Sequence, residues 1–340
     1  MVGTRPVTIA RVVVALALLG TAGCTSSASE TPTDPGPGFL QIGHAQGSSG
    51  TIRATAEISV AGSAPLQVLF DTGSSGLRVF DSLVPQEGVE RTSETFQTQF
   101  GNGVTVAGVT ANAPMVVGGV ATSGSINFQA IQQTGCVPTS PGCPGADGPE
   151  AFARSIGVDG ILGVGLSSGE VFSPMLQLSL GIPKTYTIHW ADKGGRVTFN
   201  DSPADSVATF TMPAGTPPTM PNGAAAWDDQ AVDVCWQIAD AARTCNATVF
   251  DTGSPSVQFP LNFPGGPTKD VRKLANGTRI SAATAVDAAP FLEFTAGRRL
   301  ADDFVTVQPG QNTVDTGLQI FENFAVTYDI EAGTITLSKS

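Results

Sequence analysis

The sequence predicts an all-β fold made of two similar halves, and three observations predict it. The chain has 40 Gly and 24 Pro but only 14% charged residues, a composition that favours turn-rich strands over helices. From Thr51 onward, short runs of alternating apolar residues are separated by Gly, Pro, Asn and Asp, as in strands joined by turns. A segment around Asp71 recurs around Asp251, 180 residues later (251 − 71), and such a repeat indicates two related units.

The first residues have the pattern of an export signal. Arg5 and Arg11 precede an apolar run at residues 12–19, which is too short to span a bilayer and is typical of a secretory signal. We therefore assign residues 1–24 to a signal peptide and expect the mature protein outside the cytoplasm.

The end of this signal resembles a bacterial lipobox, in which Cys24 is the lipidated residue. Thr21 stands where such motifs usually have Leu, so cleavage without lipidation stays open as an alternative. Residues 25–38 are rich in Ser, Thr, Pro and Gly, a composition typical of a flexible tether. The sequence thus predicts an envelope protein held at the membrane by an N-terminal lipid anchor.

Charge argues against one class of partner. The chain has 17 Lys and Arg against 29 Asp and Glu, a formal net charge of −12 at pH 7. Nucleic acids attract basic surfaces, so we do not expect nucleic acid as a partner.

The other four cysteines predict two short disulfide loops. They lie in two local pairs, Cys136 with Cys143 and Cys235 with Cys245. Four cysteines allow three connectivities, and the turn residues beside each pair favour the local one. No C-x-x-C motif is present, and His44 and His189 are distant in sequence, so we expect no metal site.

The repeat divides the folded part into residues 39–201 and 202–340, with the boundary in the Pro/Gly/Ala-rich stretch at 202–226. Two helical stretches interrupt the β pattern. Apolar residues after Pro174 predict a short amphipathic helix over residues 173–180, and residues 321–324 form a weaker candidate.

The repeated segment is Asp-Thr-Gly-Ser, preceded each time by two apolar residues. Two Asp side chains that share one proton can hydrolyse a peptide bond, because one acts as base on a water while the other acts as acid. Asp71 and Asp251 are the candidate pair. Around them, the glycines permit the turn, the threonines offer hydroxyls to join the two loops, and the serines offer donors to the carboxylates; these residues are Thr72, Gly73, Ser74, Thr252, Gly253 and Ser254.

Several motifs in the same order resemble the pepsin-like aspartic peptidases over nearly all of the chain after Phe39. The two Asp-Thr-Gly-Ser segments, T-Q-F-G-N-G at residues 98–103, D-G-I-L-G-V-G-L at 159–166 and G-L-Q-I-F-E-N-F-A-V-T-Y-D at 317–329 carry this resemblance. It implies a bilobal fold with pseudo-twofold related lobes and a few short helices, catalysis by Asp71 and Asp251, a polypeptide substrate, no cofactor and a monomer. It also implies a disulfide loop at Cys235 and Cys245, and a flap at Phe100, Gly101 and Gly103.

Three features depart from that family and indicate a divergent bacterial branch. Phe100 stands where the flap usually has Tyr, and Arg78 stands where its Trp partner is usual. No long basic propeptide separates Cys24 from Phe39. A third Asp-Thr-Gly begins at Asp315, but it lacks the apolar lead-in and the trailing Ser, so we do not expect it to supply a catalytic Asp.

Two other functions stay open. Gly165 to Gly169 matches the G-x-S-x-G pattern of serine hydrolases, with Ser167 as nucleophile, although the only later histidine is His189. The altered flap also permits a pepsin-like binding protein of the cell envelope without hydrolytic activity. Both complete Asp-Thr-Gly-Ser motifs favour the peptidase.

Overall fold

Alternating burial along the strands follows the alternation of apolar residues in the sequence. The computed structural model describes residues 39–48, 50–191, 194–268, 273–297, 305–308 and 312–339. The first of its strands are β1 (Phe39–Gln46), β2 (Ile52–Val60), β3 (Leu66–Asp71), β4 (Ser75–Phe80), β5 (Glu90–Gln99), β6 (Val104–Val117), β7 (Val120–Cys136), β8 (Gly160–Val164), β9 (Thr185–Ala191) and β10 (Gly194–Phe199).

The later part of the chain adds shorter strands. They are β11 (Ser206–Thr211), β12 (Ala214–Thr219), β13 (Ala225–Trp227), β14 (Val232–Ile238), β15 (Thr244–Val249), β16 (Gln258–Pro260), β17 (Arg279–Ala283), β18 (Leu292–Thr295), β19 (Thr306–Gln308), β20 (Val314–Asp315), β21 (Phe324–Asp329) and β22 (Thr334–Lys339). The described residues also contain one α-helix, α1 (Pro149–Ile156), and 3-10 turns at Asp81–Leu83, Pro174–Leu176 and Gly317–Gln319. The fold is all-β, as predicted.

Strands from both halves of the chain share one sheet. A 13-stranded sheet has the order β11-β22-β21-β9-β10-β1-β2-β3-β8-β4-β7-β6-β5, and a seven-stranded sheet has the order β18-β17-β14-β15-β20-β16-β19. Within the larger sheet, β21 from the end of the chain pairs with β9, with Tyr328 opposite Tyr186. The two tyrosine rings stack at 4.7 Å between centroids. The chain therefore closes back on its first half.

The sequence repeat corresponds to a repeated pattern of strand pairing. In the first copy, β3 and β8 are parallel, β8 and β4 are antiparallel, and β4 and β7 are parallel. In the second copy, β15 and β20, β20 and β16, and β16 and β19 pair in the same three orientations. In each copy the Asp-Thr-Gly loop therefore lies at the end of a central strand.

The core has two parts. The main cluster includes large, fully buried side chains that pack the sheets together, among them Phe70, Phe128, Trp236, Phe250 and Phe321. A smaller cluster lies between β3, β8, α1 and the β5–β6 hairpin and contains Leu69, Val104, Val106, Phe152 and Ile161. This second cluster supports the hairpin that the sequence identifies as a flap.

The helix expectations need correction. Residues 173–180 do not form a helix; only Pro174–Leu176 make a 3-10 turn, because Leu178 pairs with Thr122 across an isolated bridge and Ser123 N donates to Gln177 O. Residues 321–323 form a turn instead of a helix, and Phe324 is the first residue of β21.

The helix that does form, α1, has signals that the sequence interpretation missed. Pro149 occupies its first turn, and Gly157 ends it in the left-handed region with φ +73°. Phe152 and Ile156, four residues apart, are its buried residues.

Both predicted disulfides are confirmed. Cys136 is bonded to Cys143, and Cys235 is bonded to Cys245 across the β14–β15 hairpin. Such bonds are typical of proteins outside the reducing cytoplasm. In the described part of the chain, no helix has the length and apolar character needed to cross a membrane. Cys24, the signal peptide and the tether lie outside the described residues.

Candidate active site

Asp71 ends β3, and Asp251 lies two residues beyond the end of β15. In each copy a buried Phe precedes the Asp, so that the aromatic ring packs into the main core while the chain turns at the Asp. Asp71 is buried, whereas Asp251 is partly exposed. The two loops meet, although 180 residues separate them in sequence.

Four hydrogen bonds made by the hydroxyl groups of two threonines join the loops. Thr72 Oγ1 donates to Phe250 O at 2.6 Å and accepts from Thr252 N at 2.9 Å. Thr252 Oγ1 donates to Phe70 O at 2.6 Å and accepts from Thr72 N at 3.0 Å. Both threonines are 1% exposed, so these bonds are shielded from water. The exchange fixes one aspartate loop relative to the other.

The glycines allow the two carboxyl groups to approach. A Cβ on Gly73 would overlap the Asp251 carboxyl group, and a Cβ on Gly253 would lie 2.5 Å from Asp71 Oδ1. Gly73 N donates to Asp71 Oδ1 at 2.8 Å, and Gly253 N donates to Asp251 Oδ1 at 2.7 Å. Each Asp is therefore held by its own loop and lies against the glycine of the other.

The two serines differ. Ser74 Oγ donates to Asp71 Oδ2 at 2.5 Å, as the motif leads one to expect. Ser254 Oγ instead donates to Ser256 O at 3.1 Å and accepts from Gln258 Nε2 at 2.9 Å. The site is thus symmetric at the threonines and glycines but asymmetric at the serines.

Electrostatics keep a proton in this site. Burial raises the pKa of Asp251 well above its ordinary value, and the negative charges of Asp315 and Asp71 raise it further. The two carboxyl groups lie next to each other, since a Cβ on Gly253 would be 2.5 Å from Asp71 Oδ1 and 3.1 Å from Asp251 Oδ1. Two carboxyl groups this close can share one proton, because two negative charges side by side are costly.

Asp315, which the sequence interpretation set aside, lies at this site. Its side chain is 3% exposed, accepts from Gly317 N at 2.8 Å, and lies close enough to Asp251 and Ser254 to interact with both. No local signal could have revealed this, because the contact depends on the pairing of β20 with β15.

The unusual flap residues contact each other. The β5–β6 hairpin turns at residues 100–103, and the Phe100 ring lies 5.8 Å from the Arg78 guanidinium carbon, a cation–π distance. Arg78 is 7% exposed, donates to Ser75 O and Gly76 O at 3.0 Å, and is close enough to Asp71 to interact with its charge. Arg78 thus connects the loop after Asp71 to the flap.

The flap tip is also braced by the first disulfide loop. Val137 N donates to Gly103 O at 2.9 Å, and a Cβ on Gly103 would lie 2.6 Å from Ser140 Cβ. Gly103 is buried and has φ +83°, whereas Gly101 is partly exposed. The loop closed by Cys136 and Cys143 therefore packs on the turn of the hairpin.

The described structure does not place Ser167 and His189 as the nucleophile and base of a serine hydrolase. Ser167 O accepts from Ser75 Oγ, and His189 lies on β9 opposite Arg196. Within the described ranges, no hydrogen bond joins Ser167 to His189, and no group of three or more His, Cys, Asp or Glu residues has the arrangement of a metal site.

Comparison with known proteins identifies one related family model. Residues 64–176 match DUF3443, a family of proteins of unknown function. The match includes Asp71, the flap hairpin and β8, but it ends before Asp251 and covers less than half of the chain. No curated protein matches the sequence.

Proposed function

We propose that this protein is an aspartic endopeptidase with a bilobal, pepsin-like fold. The observation that carries the proposal is the reciprocal contact of the two Asp-Thr-Gly loops, in which paired threonines exchange hydrogen bonds and each glycine lies against the opposite carboxyl group. Residues 39–201 and 202–340 form the two lobes in this proposal. A binding protein has no need of two carboxyl groups held so close that they share a proton.

The proposed reaction is hydrolysis of a peptide bond by water. The ionised member of the Asp71–Asp251 pair accepts a proton from water as the water oxygen attacks the scissile carbonyl carbon. The protonated member donates to the carbonyl oxygen, where negative charge develops. Collapse of the tetrahedral intermediate breaks the C–N bond: the leaving amine takes a proton from the pair, and a hydroxyl group of the intermediate returns its proton to the pair as the carboxyl product forms. Ser74 and Gly73 N hold the Asp71 carboxylate in position.

The proposed setting is the cell envelope. The disulfides are consistent with a location outside the cytoplasm, and the lipobox-like sequence at Cys24 supports a lipid anchor in the membrane. The substrate class is a polypeptide, and we propose that the enzyme acts as a monomer without a cofactor.

Cleavage of a denatured protein and of an unbiased peptide library between pH 3 and pH 7 tests the proposal. We expect endopeptidase activity that a statine-type peptide analogue inhibits. Asp71→Asn and Asp251→Asn should each lower kcat by at least about 10²-fold, because each removes one partner in proton transfer. Asp287→Asn, a change at an exposed aspartate, is the matched control and should retain full activity.

Thermal unfolding of each variant separates loss of chemistry from loss of fold. If folded wild-type protein binds the analogue but cleaves no peptide at any pH, the peptidase proposal is wrong, and the pepsin-like binding protein replaces it.

A further inference from the structure

The third Asp-Thr-Gly folds into the same local turn as the first two. Gly317 N donates to Asp315 Oδ1 at 2.8 Å, as the corresponding glycines do to Asp71 and Asp251. The turn is fixed beneath the Asp251 loop, because Thr316 N donates to Val249 O at 3.1 Å and Leu318 N donates to Ser254 O at 3.1 Å. Asp315 is therefore held in a rigid position.

Strand register shows what stands at this position in the other half of the repeat. Ile161 pairs with Leu69 on β3 and with Arg78 on β4. Asp315 pairs with Val249 on β15 and with Gln258 on β16, the residues 180 positions later. Ile161 belongs to the apolar cluster below the flap. The second half thus places a carboxyl group where the first half has a hydrocarbon side chain.

The described groups that act on the charge of Asp315 are two carboxyl groups, a hydroxyl group and a backbone N–H. Its side chain contacts Asp251 and the Ser254 hydroxyl, and Asp71 is near enough to act on its charge. The neighbouring strands β15 and β16 (T-C-N-A-T-V and Q-F-P) contribute no ionisable side chain, because Cys245 is in a disulfide. Tyr328, which donates to Phe250 O, interacts with the charges of Asp71 and Asp251, and Arg78 and Asp229 interact with the charge of Asp71.

We propose that Asp315 is a positioning residue that shares a proton with Asp251 and so keeps the Asp71–Asp251 pair singly protonated up to a higher pH than two carboxyl groups alone would allow. This inference rests on the proposed peptidase function. Three adjoining carboxyl groups hold up to three protons. Removing the proton of the catalytic pair leaves negative charges on Asp71 and Asp251 beside the negative charge of ionised Asp315. Repulsion by Asp315 therefore opposes that deprotonation. Burial, which raises the pKa of Asp315 to about 7, keeps a proton in the cluster up to that pH, and the opposing like charge arises as this proton is lost.

Asp315→Asn tests the proposal, because the amide oxygen still accepts from Gly317 N while the negative charge is lost. We expect the alkaline limb of the kcat/KM profile on a peptide substrate to move down by about one pH unit or more. The acidic limb and kcat on the acid side of the optimum should change only a few-fold. Asp315→Ile, which copies Ile161, should move the alkaline limb in the same direction.

An infrared titration gives a readout that does not require activity. Both proteins compared carry Asp229→Asn, which removes the other carboxyl group whose pKa burial raises to about 7. In that background we expect a protonated-carboxyl band that persists to about pH 7 when Asp315 is present and is lost at lower pH in Asp315→Asn. Asp287→Asn should leave both the band and the pH profile unchanged. Equal titration curves for wild type and Asp315→Asn, or an alkaline limb that does not move, would overturn the proposal. A carboxyl band that depends on Asp315 in a protein without peptidase activity would support the shared proton and reject the peptidase.

Discussion

Asp229 is a buried carboxyl group outside the repeated motifs. It is 2% exposed, and its Oδ2 accepts from Leu166 N at 2.7 Å, next to the bond from Trp227 N to Leu166 O. The adjacent Gln230 donates to Gly73 O, so this loop contacts the Asp71 turn. Burial raises the pKa of Asp229 to about 7. The folded protein therefore binds a proton here that the unfolded chain releases.

Replacing Asp229 with Asn should remove a pH dependence of stability. Because the folded-state pKa is raised, the contribution of this group is complete below the ordinary pKa of 3.8 and is lost as pH rises towards 7. Each pKa unit corresponds to 1.36 kcal/mol, so the loss in the wild type amounts to about 4 kcal/mol. Urea unfolding between pH 4 and pH 8 measures it.

The Asn variant keeps the acceptor for Leu166 N and should be at least as stable as the wild type at pH 8. Asp287→Asn, at an exposed aspartate distant in sequence from Asp229, should retain the slope of the wild type. Parallel curves for wild type and Asp229→Asn would show that Asp229 is already ionised in the folded protein.

Among the elements, those with a strong local signal were predictable and those set by distant pairing were not. The apolar lead-in, the Asp and the Gly of each repeat predict a strand and a tight turn, and the structure has both. Apolar spacing after Pro174 is equally compatible with a helix and with the extended chain that pairs with Thr122, and only the tertiary contact decides. The position of Asp315 depends on the pairing of β20 with β15, for which a two-residue strand offers no sequence pattern.

The disulfide loop at residues 136–143 should rigidify the flap hairpin. In a Cys136→Ser/Cys143→Ser variant, we expect amide hydrogen exchange at Val137 and at residues 100–104 to accelerate at least about tenfold, the equivalent of about 1.4 kcal/mol. The reason is that the hydrogen bond from Val137 N to Gly103 O is made by a loop that the Cys136–Cys143 disulfide no longer closes. Peptidase KM should rise if the flap contacts substrate.

The second disulfide provides the control. A Cys235→Ser/Cys245→Ser variant should lose about 2–3 kcal/mol of the free energy of unfolding. Amide exchange in the flap should not become faster, because this disulfide joins β14 to β15. Equal flap exchange in both variants would mean that the effect is global unfolding.

At the scale of the whole molecule, the two halves are joined by the shared sheet and by the threonine exchange. The 180-residue repeat indicates that two related loops exist, but it does not state that they meet. Their meeting requires β21 to pair with β9, which brings the end of the chain beside the first half. Composition and periodicity carry no information on such pairing, whereas the similarity of the two motifs does indicate a related geometry.

Thr72 and Thr252 should act as one cooperative unit in the stability of the whole fold. Each replacement with Val removes one hydroxyl from the set of four bonds and leaves the buried N–H of the other threonine without its acceptor, at about 1–3 kcal/mol for each unsatisfied group, while Phe250 O keeps its bond from Tyr328. Once one hydroxyl is lost, the loops separate and the second contributes less. The double variant should therefore cost less than the sum of the singles by at least about 0.5 kcal/mol, as measured by urea unfolding.

Thr122 provides the matched control for this cycle, because it is also a buried threonine, but in the described part of the chain its hydroxyl bonds only to Met115 and Gly124 of its own hairpin. Thr122→Val combined with Thr252→Val should show additive costs. If Thr72→Val and Thr252→Val are additive as well, each threonine stabilises only its own loop. The two aspartates would then owe their fixed separation to the shared sheet, and Thr72→Val should leave peptidase activity at low temperature unchanged. Cooperative loss of stability together with a lower kcat would instead show that this set of four bonds itself sets the distance between Asp71 and Asp251.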